Sequence, residues 1–122
     1  MELALSNLPK TWLIDIDGTI VKHNGYKTGG DELLEGVEDF FAKLDERDVV
    51  IFLTARSEDM RKKTEEFLRD HKIRYNEIIF GLPMGERILI NDNKPSGLVM
   101  GHVFNKRRDM KATLIVKINE NL

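Results

Sequence analysis

Asp15 and Asp17 stand one residue apart at the end of the apolar run Trp12-Leu13-Ile14 and lead directly into Gly18-Thr19. In a strand, residues two apart point to the same side. Two carboxylates so placed repel each other unless a cation joins them. A hard divalent ion such as Mg²⁺ removes that penalty, because it is held by one or two carboxylates together with waters and substrate phosphate oxygens. Gly18 allows a sharp turn at the strand end, and Thr19 offers a hydroxyl and a backbone N–H to whatever occupies the turn. The segment reads as a phosphoryl-transfer site, a nucleophile and a proton donor around a metal ion.

The elements that would position this pair follow from the hydrophobic pattern. Thr11 to Ile16 is apolar on both faces, as a fully buried parallel strand is. Val21 to Gly30 is polar and glycine-rich, and Asp31 is placed to cap a helix from Glu32 to Arg47, where Leu33, Leu34, Val37, Phe40, Phe41 and Leu44 recur at helical spacing. Val49 to Leu53 is a second strand, and Ser57 opens a second helix reaching about Asp70. Glu77 to Phe80 and Arg87 to Ile90 read as third and fourth strands, with Leu98 to Phe104 and Thr113 to Ile118 as further ones. Alternating strands and helices predict an α/β fold with a central, mostly parallel sheet flanked by helices, in which ligands bind at the carboxyl ends of strands. Asp15/Asp17, Thr54 and Asp92 each follow an apolar strand directly, so they are expected to converge on one rim.

Composition narrows the function. At 122 residues the chain is expected to form one domain, 1–122, with no room for a cap domain. A net charge of -2, from 19 basic and 21 acidic residues, gives no field for nonspecific nucleic-acid binding. The basic runs Arg61-Lys62-Lys63 and Lys106-Arg107-Arg108 read as solvated faces. The absence of cysteine excludes disulfides, thiolate metal sites and cysteine nucleophiles. His23, His71 and His102 show no metal-ligand spacing. No stretch reaches the ~18 apolar residues of a membrane span, and the first residues lack a signal peptide's basic region, so a cytoplasmic protein without membrane partners is expected.

The string Asp15-Ile16-Asp17-Gly18-Thr19 resembles the first motif of the haloacid dehalogenase (HAD) superfamily, whose members are mostly Mg²⁺-dependent phosphatases. The resemblance implies a Rossmann-like HAD core and spans about Thr11 to Ser96, with three of the four family motifs in order. Thr54, in Leu53-Thr54-Ala55-Arg56, is similar to the second motif, whose hydroxyl donates to a phosphoryl oxygen. Arg56 is open to two uses, reaching the substrate phosphate or holding the loop through an ion pair. Ile90-Asn91-Asp92-Asn93 resembles the acidic fourth motif, so the implied metal ligands are Asp15, the backbone carbonyl of Asp17, and Asp92. The third motif departs from the family: the expected lysine of a Gly-Lys-Pro string is Leu82 in Gly81-Leu82-Pro83. Lys94 is the first substitute for that cation and Lys72 the second.

The mechanism that the resemblance implies is hydrolysis of a phosphomonoester through an aspartyl-phosphate. Asp15 attacks phosphorus, Asp17 protonates the leaving oxygen and then activates water, and Mg²⁺ screens the phosphate. The segment Leu82 to Pro95 is further similar to small HAD proteins of bacterial capsule or surface-polysaccharide synthesis, which makes a small phosphorylated substrate such as a sugar phosphate the leading class. A capless site is expected to be completed by a homo-oligomer. The alternative is a degenerate HAD domain that binds a phosphorylated ligand or a partner enzyme without turnover, motivated by Leu82. A two-component receiver domain is disfavoured, since it would need an aspartate where Leu53-Thr54 stands.

Overall fold

In a computed structural model that describes residues 1–111 and 113–122, the chain runs in order through β1 (Glu2–Leu5), β2 (Thr11–Asp15), α1 (Gly25–Thr28), α2 (Val37–Ala42), β3 (Val49–Leu53), a 3₁₀ turn (Glu58–Met60), α3 (Arg61–Asp70), β4 (Glu77–Ile79) and β5 (Ile115–Ile118). It is an α/β protein with two parallel sheets, one of order β2-β3-β4 and one of β1-β5. The contacts divide the chain into two compact units. The larger comprises Pro9–Pro83 and Lys106–Ala112, the smaller Met1–Leu8, Met84–Asn105 and Thr113–Leu122.

The larger unit is built around β3. Its β-branched and aromatic residues suit a strand flanked on both sides, and Val50 and Phe52 are fully buried. β2 pairs with it in register from Thr11↔Val49 to Asp15↔Leu53, and β4 from Ile51↔Glu77 to Leu53↔Ile79. Among the described residues ten apolar side chains are buried, Ile16, Ile20, Val21, Val37, Phe41, Val50, Phe52, Leu68, Ile73 and Ile78, and all belong to this unit. Each such side chain stabilises the fold by about 1.5–3 kcal/mol relative to exposure. Buried Asp48 ties β2 to the start of β3, accepting from Lys10 N–H at 2.8 Å and Trp12 Nε1–H at 2.9 Å.

Three expectations change in this unit. Among the described residues only β3 pairs with β2, which makes β2 an edge strand, with Leu13 49% exposed. The helix expected from Glu32 begins only at Val37. Residues 32–34 instead run against residues 20–22, with Lys22 N–H donating to Glu32 O at 2.9 Å and Leu34 N–H to Ile20 O at 3.0 Å, and Gly36 at φ +85° starts the helix. Ser57 donates to the Asp59 carboxylate rather than capping its helix.

In the smaller unit β1 and β5 pair from Glu2↔Ile115 to Leu5↔Ile118. The strands expected at Arg87–Ile90 and Leu98–Phe104 do not form. Ile88 and Ile90 are 84% and 92% exposed, and the chain between the two segments closes a loop, with Lys94 N–H donating to Leu98 O at 3.2 Å and Met100 N–H to Asn93 Oδ1 at 3.2 Å. An apolar run becomes a strand only where a ladder partner takes up its backbone groups. Among the described residues no helix is long and apolar enough to cross a membrane.

Candidate active site

Parallel pairing brings the carboxyl ends of β2, β3 and β4 to one edge of the larger unit, since Asp15 lies beside Leu53 and Leu53 beside Ile79. Three turns leave that edge. In the first, Ile16 O accepts from Thr19, Ile20 and Val21 N–H at 3.2, 2.9 and 3.2 Å, and Gly18 takes φ +82°, where a side chain is disfavoured. The fold of this turn aims Thr19 Oγ1–H at Asp15 Oδ2, at 2.9 Å. In the second, Thr54 is 1% exposed and its Oγ1 accepts from Arg56 N–H at 3.0 Å, which leaves the hydroxyl proton to donate. In the third, Leu82 N–H donates to Thr54 O at 3.1 Å and Gly81 N–H to Arg56 O at 2.7 Å. Leu82 therefore reaches this edge, but its apolar side chain brings no charge to it.

Arg56 organises the edge. Its side chain is 1% exposed and all five of its N–H groups are used. Nε and Nη2 donate to the two oxygens of Asp17 at 3.0 and 2.9 Å, Nη1 and Nη2 to those of Asp31 at 3.0 and 2.7 Å, and Nη1 to Thr64 Oγ1 on α3 at 3.0 Å. The guanidinium also lies 4.5 Å from the centre of the Tyr26 ring. Burial by itself would lower the Arg56 pKa, but the hydrogen bonds and charges of Asp17 and Asp31 outweigh it and raise the pKa above its ordinary value. Of the two uses left open for Arg56, the geometry favours the ion pair. Asp31, expected as a helix cap, is instead half of that pair, because no helix starts beside it.

The sequence-predicted residues divide between the units. Asp15, Asp17 and Thr54 share the edge just described. Asp92 and Lys94 are exposed residues of the smaller unit. Lys72 follows α3 at φ +57° and precedes β4, so it belongs to the amino end of the sheet, away from Asp15. Lys106, read from sequence as part of a solvated face, lies against the first turn. Its Nζ donates to Gly18 O at 3.0 Å and to Arg107 O at 3.1 Å. Burial lowers its pKa from the ordinary lysine value, with Asp109 and Asp15 pulling the other way. No spacing rule could have found it, since 88 residues separate it from Gly18. Asp31, Thr64 and Tyr26 were missed for the same reason, as their role exists only through Arg56.

The oxygen donors suit a hard cation in part. The Asp15 carboxylate and the Asp17 carbonyl are of the right chemistry for Mg²⁺, while the Asp17 carboxylate is taken by Arg56. Among the described residues no group of three or more acidic or histidine side chains is arranged to hold a metal ion. Searches for related sequences and folds give the chain no family, since no family model, curated protein or solved structure matches it significantly.

Proposed function

We propose that the chain is a Mg²⁺-dependent phosphomonoester hydrolase of the HAD type, built on a Rossmann-like core and acting on a small organophosphate such as a sugar phosphate. The observation that carries this reading is the convergence, at the carboxyl ends of parallel strands, of Asp15, Asp17 and the buried Thr54 hydroxyl, with Lys106 held on the same turn. Asp15 attacks phosphorus in line and the alcohol oxygen leaves; water then attacks the aspartyl-phosphate, releasing phosphate and restoring Asp15. Thr19 orients the attacking carboxylate through its 2.9 Å hydrogen bond. Thr54 donates to a phosphoryl oxygen, and Lys106 supplies the cation that Leu82 does not. Proton transfer by Asp17 requires one of its two hydrogen bonds to Arg56 to open. A bound Mg²⁺, held by the Asp15 carboxylate and the Asp17 carbonyl, would supply positive charge against the phosphate. A homo-oligomer that covers the open edge is part of the same proposal and is read by light scattering.

A second reading, a domain that binds a phosphorylated ligand without turnover, is favoured by the two-oxygen grip of Arg56 on Asp17. Phosphate release from a panel of sugar phosphates, with and without Mg²⁺, separates the two. Metal-dependent release that disappears in Asp15→Asn supports the enzyme. Ligand binding with no release in any condition overturns it in favour of the second reading.

A further inference from the structure

The turn Lys106–Asp109 is fastened to the Asp15–Thr19 turn at three points. Lys106 Nζ and the Asp109 backbone N–H both donate to Gly18 O, at 3.0 and 2.9 Å. The Arg108 side chain lies along Gly18, its Cγ 3.1 Å and its Nε 3.8 Å from where a Cβ would stand. Gly18 thus serves two needs at once, the positive φ of the turn and the close approach of Arg108. The Asp109 carboxylate, the acid of this turn, accepts from the backbone N–H of His23 at 2.7 Å. Arg107 and Arg108 make no ion pair among the described residues.

One cation beside Asp15 is what a single phosphoryl group needs, and Lys106 meets that need. Arg108 is a second cation at the same turn, with a planar fork that matches carboxylate and phosphate oxygens two at a time. We infer that the site prefers phosphomonoesters carrying a second anionic group, a phosphate or a carboxylate, with Lys106 beside the reacting phosphoryl group and Arg108 on the second anion. This rests on the phosphomonoester reading above. It assigns a role to the Lys106-Arg107-Arg108 run, which the sequence alone leaves as solvated surface.

The test is calorimetry on the full chain with Mg²⁺, in an Asp15→Asn background that blocks turnover, using glucose 6-phosphate, 6-phosphogluconate and glucose 1,6-bisphosphate as probes. A charge-assisted pair to Arg108 should make at least one of the two probes with a second anionic group bind about tenfold more tightly than glucose 6-phosphate. Which of the two shows the gain tells whether the second anion is a carboxylate or a phosphate. Adding Arg108→Ala should erase the gain while leaving glucose 6-phosphate within about twofold, and adding Lys106→Ala should weaken all three. Equal affinity for the three probes, or an Arg108→Ala loss shared equally by all, overturns the inference. Phosphate release by the unaltered chain is scored separately: hydrolysis of glucose 6-phosphate without an Arg108-dependent gain leaves the enzyme reading intact and removes only this one. An Arg108-dependent gain without hydrolysis does the reverse, and absence of binding by all three probes overturns both.

Discussion

Val49-Val50-Ile51-Phe52-Leu53 and Arg87-Ile88-Leu89-Ile90 look alike on paper, yet the first is the buried centre of a sheet and the second is exposed chain without a ladder. The difference is in what stands beside them. β3 has β2 on one side and β4 on the other, with Phe41 and Tyr75 ring centres 5.8 and 6.0 Å from that of Phe52. Residues 87–90 belong to a unit that contains none of the ten buried apolar side chains. Hydrophobicity supplies the drive to be buried, but burial needs partners whose own sequence positions are far away. The same contrast holds for charge. Arg56 is buried with all its N–H groups hydrogen-bonded, to Thr64 and to two partly buried carboxylates in the larger unit, whereas Asp92 and Lys94 of the smaller unit are exposed.

The contrast is most easily broken at Asp15. If the chemistry resides in the larger unit, Asp15→Asn should reduce Mg²⁺-dependent phosphate release on the order of 10⁴-fold or more, as loss of a nucleophile does. Its thermal midpoint should stay near that of the unaltered chain, because Asn keeps the shape and an oxygen facing Thr19. Release at the original rate would move the chemistry elsewhere.

Next in size is a matched pair of core truncations. Phe52→Ala should cost about 3–5 kcal/mol, through lost burial and the cavity left behind, while Ile90→Ala should stay within about 0.5 kcal/mol. Urea unfolding gives both numbers. A large cost at Ile90 would show that residues 87–90 are packed after all.

Removing the clamp tests whether buried charge sets the larger unit apart. Arg56→Met leaves Asp17 and Asp31 without their partner, a change worth about 3–5 kcal/mol when a buried pair is broken on one side. A denaturation midpoint unchanged from that of the unaltered chain would mean that the guanidinium is not needed to hold Asp17, Asp31 and α3 together.

The smallest effect sharpens the comparison at the level of single cations. Lys106→Ala should lower phosphate release about tenfold, by loss of one charge beside the phosphoryl group. Lys94→Ala, in the smaller unit, should remain within about twofold of the unaltered chain. The reverse order would return the missing third-motif cation to Lys94.

Local chemistry determined a good deal of this protein without any structure. The parallel α/β class, the strand at Val49–Leu53, the turn at Asp15–Thr19 and the convergence of Asp15 and Thr54 follow from apolar runs, glycine and the right-handed logic of strand and helix alternation, all of which act over a few residues. Tertiary structure alone decided which apolar runs found partners, so that β5, within the strand expected from Thr113 to Ile118, paired with the unforeseen β1 while residues 87–90 formed no strand. It also decided the use of charge. Arg56 could have faced a substrate or a neighbour, and only the arrival of Asp31 at 2.7 Å and Thr64 at 3.0 Å favours the neighbour. Lys106 reads as surface until an 88-residue excursion returns it to Gly18. Hydrogen bonds between residues distant in sequence carry no periodic signal, because their register is set by how whole elements pack and not by the spacing of the residues that make them.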